Sequence, residues 1–79
     1  MKTIYVVIIK NPQGDLSTAG FLKFDSAVDY CIKDMCEYDQ ELEVDPEYQE
    51  KIAEELEEQM YYKSDFGDTY WIEETTLSK

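Results

Sequence analysis

This chain of 79 residues contains no histidine and no arginine, and only two cysteines, two prolines and three glycines. Without histidine, it cannot form a Ser-His-Asp or Cys-His catalytic arrangement or a histidine-containing zinc site. Nor does the sequence contain a glycine-rich loop of the kind that opens a helix and binds phosphate. The few scattered lysines disfavour direct binding of nucleic acid. We therefore expect a protein that is not an enzyme and needs no cofactor or metal.

Targeting signals and disulfides are also lacking. The apolar run from Ile4 to Ile9 is too short for the hydrophobic region of a signal peptide or for a membrane span. Cys31 and Cys36 lie five positions apart, which places them about 140° apart around a helix and separates their side chains. Both are expected to be reduced, as in a cytoplasmic protein that does not associate with membranes.

Carboxylates are abundant, and they are concentrated in the middle of the chain. Sixteen of the nineteen lie between Asp25 and Asp68, where only three lysines accompany them, so this segment carries a net charge of −13. The first 24 residues have a net charge of +2, and residues 69–79 have a net charge of −1. A concentrated anionic surface repels phosphates and attracts basic protein surfaces over roughly a Debye length.

Hydrophobic periodicity predicts a single domain over residues 1–79. Strands are expected at Thr3–Lys10, Leu16–Phe24 and Thr69–Thr76, and helices at residues 26–38 and from Pro46 to about Met60. The first strand is apolar on both faces, which is typical of a central strand, so we place the last strand beside it. The predicted fold class is α+β, a small β-β-α-α-β domain with a three-stranded sheet and two acidic helices packed on it.

Local signals refine these boundaries and leave one alternative open. Ser26 is a candidate helix cap, Gly20 suggests a bulge, and Asp45-Pro46 is a strong helix start. Residues 39–44 are either a loop or a frayed end of the first helix. In the alternative, Tyr61-Tyr62-Lys63 pairs with Tyr70-Trp71-Ile72 as a hairpin.

The second predicted helix carries an unusual run of like charges. Exposed helices usually mix signs, because Glu–Lys pairs four residues apart stabilise a helix, whereas like charges cost a few tenths of a kcal/mol each. Here Glu50, Glu54 and Glu58 form an unbroken ladder at this spacing. A solvated helix face is the simplest interpretation, but the bias is difficult to explain by folding alone and favours a binding role.

Such a ladder resembles the charge pattern of nucleic acid. Glutamates four residues apart repeat every ~6 Å along a helix, and each DNA strand carries one phosphate per ~3.4 Å of axis. Tyrosines interleaved with the acids are suited to contact the arginines of a basic partner. The pattern therefore predicts a DNA mimic that occupies the basic surface of a nucleic-acid-binding protein, without binding nucleic acid itself.

The opening Met-Lys-Thr-Ile-Tyr-Val-Val-Ile-Ile and the Phe-Asp-Ser-Ala-Val-Asp helix start resemble those of small proteins common in bacteriophage genomes. The acidity is similar to that of phage anti-restriction and anti-CRISPR inhibitors. This resemblance covers the layout of the whole chain and includes no diagnostic motif. It implies a stoichiometric inhibitor, not a catalyst. From the acidic segment and its interleaved tyrosines we expect the target to be a bacterial defence nuclease in the cytoplasm of a bacterial host.

The candidate partner-binding residues follow from the charge pattern alone. They are Asp34, Glu37, Tyr38, Asp39, Glu41, Glu43, Glu50, Glu54, Glu57, Glu58 and Tyr61. One alternative is an accessory protein that binds transcription machinery or another host protein through a sheet edge near Phe21 or Trp71. Another is an acidic domain that makes no use of its charge.

A calcium-binding loop is a further interpretation of the acidic segment between the helices. Asp39 to Glu50 has acidic residues at the EF-hand spacing. However, Val44 stands at position six, where the loop needs glycine, and Pro46 stands at position eight. A loop between two helices is the better interpretation of this segment.

Overall fold

Four antiparallel strands form one sheet with three helices on one of its faces in the computed structural model, which describes residues 2–77. The elements are β1 (Lys2–Lys10), β2 (Leu16–Phe21), α1 (Phe24–Cys36), α2 (Gln40–Val44), α3 (Pro46–Gln59), β3 (Tyr61–Lys63) and β4 (Thr69–Leu77). The strand order is β2-β1-β4-β3. The coarse α+β prediction is confirmed, and β1 is central with β4 beside it, as its two apolar faces indicated.

The predicted three-stranded sheet is wrong, because a fourth strand lies at the edge. In β3, Tyr61 pairs with Trp71, Tyr62 with Tyr70, and Lys63 with Thr69. This is the alternative hairpin, with its pairing shifted by one residue to Thr69–Trp71. A strand of three residues is too short to show the alternation that identifies strands in a sequence.

The chain can enter β3 directly because α3 ends abruptly. Met60 adopts the left-handed conformation, with φ 58°, and its N–H donates to the carbonyl of Leu56. A left-handed residue at this position ends a helix and redirects the chain. Beyond β3, the hydroxyl of Ser64 accepts hydrogen bonds from the N–H groups of Phe66 and Asp68, which closes the loop at 64–68.

The helix boundaries also differ in part from those predicted. The first helix begins at Phe24, so Ser26 lies inside it and does not cap it; the capping position is Lys23, whose side chain makes no capping bond. The predicted start at Asp45-Pro46 is confirmed, since Asp45 Oδ1 accepts from the N–H groups of Glu47 and Tyr48 at 3.1 and 3.2 Å. The register of β2 runs through Gly20 without the predicted bulge.

The short helix α2 was not predicted. Asp39 begins it, with Oδ1 accepting from the N–H of Leu42 at 3.2 Å, and Leu42 is fully buried. The side-chain amide of Gln49 donates to the carbonyls of Leu42 and Glu43, at 2.8 and 3.3 Å, which ties α2 to α3. A single buried leucine on a five-residue helix leaves no periodicity for sequence analysis to detect.

The core lies between the helices and one face of the sheet. Its buried apolar residues are Val7, Ile9, Ala27, Val28, Cys31, Ile32, Met35, Leu42, Ile52, Leu56, Tyr70 and Ile72. Because side chains alternate along a strand, the neighbours of these strand residues point away from the helices. We call that other side of the sheet the open face; it includes Ile4, Val6, Ile8, Tyr61 and Trp71. No helix within residues 2–77 has the length and hydrophobicity needed to span a bilayer.

Candidate protein-binding surface

Exposed glutamates of α2 and α3 form a group on the side of the molecule that carries the helices. We call this group the acidic helix surface; it comprises Glu41, Glu43, Glu47, Glu50, Glu54, Glu57 and Glu58. The two helices are held together where Gln49 bonds the end of α2. The group thus consists of exposed glutamates on two helices that contact each other.

The buried stripe of α3 sets the orientation of its glutamates. Ile52 and Leu56 are at most 2% exposed and turn one side of the helix to the sheet. With about 100° between successive residues, Glu50, Glu54 and Glu58 then lie on the side away from the core. They repeat every ~6 Å along the axis, and Lys51 is the only cation of α3.

Few positive charges balance this surface. Within residues 2–77 the only ion pair joins Lys33 Nζ to Asp29 Oδ2 at 3.2 Å, on the exposed side of α1. An exposed pair of this kind contributes little to stability. The last turn of α3 contains no basic residue, although Glu57 and Glu58 lie near the negative end of its dipole. Glu57 and Glu58 therefore place negative charge where the helix dipole favours positive charge, which is unfavourable for the end of α3.

Charge is divided between the two sides of the sheet. Fourteen carboxylates belong to residues 24–59, the segment that forms the helix layer and its connections. Among the strand residues of the open face whose side chains are described, Glu73 is the only carboxylate, and it is accompanied by Lys2, Lys10 and Lys63. The helix side is therefore strongly anionic and the open face is not.

Asp34 and Tyr38, two of the predicted contact residues, belong to a half-buried hydrogen-bond network. The hydroxyl of fully buried Tyr70 donates to Asp34 Oδ2 at 2.7 Å, and the Tyr38 hydroxyl lies 2.8 Å from that of Tyr70. Since Tyr70 has one proton to donate, Tyr38 is the donor in the second bond. The ring of Tyr38 also packs edge-on against Phe66, with centroids 5.0 Å apart. These contacts give both residues a structural role in the fold.

Burial changes the acidity of this network. It raises the pKa of Tyr38 to about 12, and it raises the pKa of Tyr70 above the ordinary tyrosine range, helped by the hydrogen bond that Tyr70 donates to Asp34 and by the charge of Asp34. Burial, followed by the nearby charge of Asp34, raises the pKa of Cys31 to about 12. Cys31 and Cys36 are both free. The Cys31 thiol therefore stays neutral at ordinary pH and behaves as an apolar core group.

The predicted acidic residues other than Asp34 differ in their positions. Asp39 caps α2, and Glu37 is exposed just beyond the end of α1. Glu41, Glu43 and the four predicted glutamates of α3 belong to the acidic helix surface. Glu47 lies on the same side of α3 but was not among the candidates, although its spacing of three residues from Glu50 is visible in the sequence.

Tyr61 lies on the opposite side of the molecule from the glutamates. It is on the open face, where its ring is 6.0 Å from that of Trp71. Residues 60 and 61 mark the change from helix to strand, so helical spacing could not place this side chain. Trp71 is on the internal strand β4, whereas Phe21 is on β2, at an edge of the sheet.

The acidic segment considered as a calcium loop folds differently. Residues 40–44 are helical, so Glu41 and Glu43 point outward from α2 and do not lie in a loop. In the part of the chain that the structure describes, no three acidic or sulfur side chains come together as a metal site.

Comparisons with protein-family models, with curated proteins and with solved structures find no match to this chain.

Proposed function

We propose that the chain is an acidic inhibitor that binds the nucleic-acid-binding surface of a bacterial defence nuclease, such as a CRISPR effector or a restriction enzyme. It acts stoichiometrically as a DNA mimic in the cytoplasm of a phage-infected host, and it catalyses no reaction. The observation that carries the proposal is the acidic helix surface: seven exposed glutamates on two joined helices, in a layer with very few cations.

The chemistry of this surface fits a protein that normally holds DNA. A nuclease channel presents lysine and arginine at positions that match phosphates, and those side chains release counterions when anions bind. A rigid helix offers carboxylates at fixed spacing, with no base to read and no phosphodiester bond to cut. The gain comes from electrostatic complementarity, which also speeds association at low salt.

A competition experiment tests the proposal. A purified CRISPR effector–guide complex and a purified restriction endonuclease are each incubated with labelled target DNA, and release of the DNA is followed as the inhibitor is added. We expect displacement by the wild-type chain from at least one of them, weakening as salt is raised. The combined Glu50→Gln, Glu54→Gln and Glu58→Gln variant should bind at least ~10-fold more weakly, with a shallower salt dependence.

A matched control separates position from net charge. The combined Asp15→Asn, Asp25→Asn and Glu74→Gln variant removes the same number of charges outside the acidic helix surface. It should displace DNA almost as well as the wild type. Equal loss in both variants would assign binding to overall charge, and no displacement from either nuclease would refute the proposal for these two target classes.

A further inference from the structure

The open face of the sheet has a composition unlike the rest of the molecule. Ile4, Val6 and Ile8 of β1 lie on it beside Trp71 of β4, and each is only partly exposed. Tyr61 extends this apolar strip onto β3 and packs against Trp71. No helix of residues 2–77 covers this side of the sheet, so its apolar centre faces solvent in the single chain.

The charges of the open face are arranged around that centre. Lys10, Thr69 and Lys63 form one row across the strands, so the two lysines flank Thr69. Glu73 lies on the same strand and the same face as Thr69, four residues further along β4. Lys10, Trp71 and Glu73 all line one shallow depression, but Lys10 and Glu73 form no ion pair there.

We propose that the open face is the contact surface between two copies of this chain, related by a two-fold axis that crosses the strands at the Ile8–Trp71 row. Rotation about this axis places each strand over the same strand of the second copy, and the two strands run in opposite directions. Trp71 then contacts Trp71 of the second copy, and Ile8 contacts Ile8 of the second copy. Glu73 faces the second copy's Thr69, between its Lys10 and Lys63, and the reciprocal contact forms at the other side of the axis.

Charge favours a second copy at this face over other arrangements. A chain with a net charge of −12 repels another copy wherever the glutamates of the helix layer would meet. Contact through the open face places both helix layers on the outside, with two sheets between them. Packed sheets lie ~10 Å apart, a distance that the long lysine and glutamate side chains can bridge.

The area available indicates a weak dimer. The four strands contain 27 residues. At ~3.4 Å of rise and ~4.8 Å of strand spacing they cover about 440 Å² in projection, before the relief of the side chains is added. Stable complexes bury about 800 Å² per partner, and transient ones less. We therefore expect a weak dimer that dissociates on dilution.

Sedimentation equilibrium over a concentration series tests the dimer. The mass should rise from 9.3 kDa toward twice that value, and more readily at high salt, because screening reduces repulsion between the copies. Glu73→Lys should weaken association at least tenfold, even though it lowers the net negative charge. Glu74→Lys is the matched control: it makes the same charge change on the next residue, which points to the other face, and it should leave association intact or strengthen it.

Reversing the interacting charges in two separate variants, and then mixing the variants, tests the proposed axis specifically. The combined Lys10→Glu and Lys63→Glu variant should also stay monomeric, but mixing it with Glu73→Lys should restore a heterodimer. A monomer at all concentrations up to ~1 mM, equal loss with Glu74→Lys, or no recovery on mixing would each overturn the proposal. None of these substitutions alters the acidic helix surface, so loss of dimerisation and loss of DNA displacement are distinguishable outcomes.

Discussion

Tyr70 is a fully buried core residue that carries a polar hydroxyl group. Its ring is fully buried between the sheet and α1, and its hydroxyl is satisfied by Asp34 and Tyr38. A buried hydroxyl without partners would cost about 1–3 kcal/mol, so the network is a condition for placing a tyrosine here. It also fixes Asp34 and Tyr38 as parts of the fold.

This network predicts a loss of stability at alkaline pH. Burial raises the pKa of Tyr38 to about 12 and that of Tyr70 above its ordinary range, so the native state holds these protons while the unfolded state releases them near pH 10. The free energy of unfolding should therefore be unaffected by these groups below about pH 9 and fall above it, by up to ~1.4 kcal/mol per pH unit for each group.

Urea unfolding at a series of pH values from 7 to 11 measures this loss. Tyr70→Phe removes one of the titrating groups, so its free energy of unfolding should fall less steeply above pH 9 than that of the wild type. A decline of equal slope in the two proteins would contradict the assignment to Tyr70.

At the scale of the element, α3 combines a strong beginning with an unfavourable end. Asp45 caps the helix and Pro46 occupies its first turn, whereas Glu57 and Glu58 stand in a last turn that contains no cation. Burial of Ile52 and Leu56 against the sheet compensates for this end. The acidic helix surface is thus carried by a helix that tertiary packing stabilises, and this is consistent with a use for the charges beyond folding.

Two substitutions on the same side of α3 should have opposite effects on stability. Glu58→Gln removes a charge near the negative end of the dipole, and we expect it to stabilise the protein by about 0.3–1 kcal/mol at low salt. Glu47→Gln removes a charge near the positive end and should be neutral or destabilising. Thermal unfolding at ~0.01 M salt, repeated at ~1 M, checks both; two effects of equal sign, or effects that persist at high salt, would exclude the dipole explanation.

At the scale of the molecule, the division of charge between two sides of one sheet is the dominant property. The helix layer contains fourteen carboxylates, and the open face combines an apolar centre with lysines at its ends. The two proposed contacts therefore respond to salt in opposite directions. Binding of a basic nuclease weakens as salt rises, whereas association of two like-charged copies strengthens.

The stability of the whole domain should also rise with salt. Between 0.01 M and 1 M salt the Debye length falls from about 30 Å to about 3 Å, which screens the repulsion within the helix layer. With like-charge pairs costing a few tenths of a kcal/mol each, we expect a gain of about 1–2 kcal/mol in the free energy of unfolding. Urea titrations in NaCl measure it, and the combined Glu50→Gln, Glu54→Gln and Glu58→Gln variant should gain less. A flat response in the wild type would refute this account.

Several features of the protein are determined by its sequence alone. The two apolar faces of β1 predict a central strand, and β1 does lie between β2 and β4. Asp45 and Pro46 start α3 through backbone geometry and a hydrogen bond within three residues. The glutamate ladder of α3 follows from helical spacing once the buried stripe of Ile52 and Leu56 is recognised. These are local effects, and local sequence carries them.

Other features were decided only by tertiary structure. β3 exists because β4 offers it backbone partners, and α2 exists because Leu42 finds a place in the core and Gln49 bonds its last carbonyls. The sequence analysis grouped Tyr61 with the glutamates. In the structure Met60 ends the helix and turns the chain into the sheet, so Tyr61 lies on the open face. Asp34 and Tyr38 are held in a half-buried network by Tyr70, more than thirty positions away in the chain. Contacts between distant residues have no periodic signal in the sequence, so their outcome depends on how the whole chain packs.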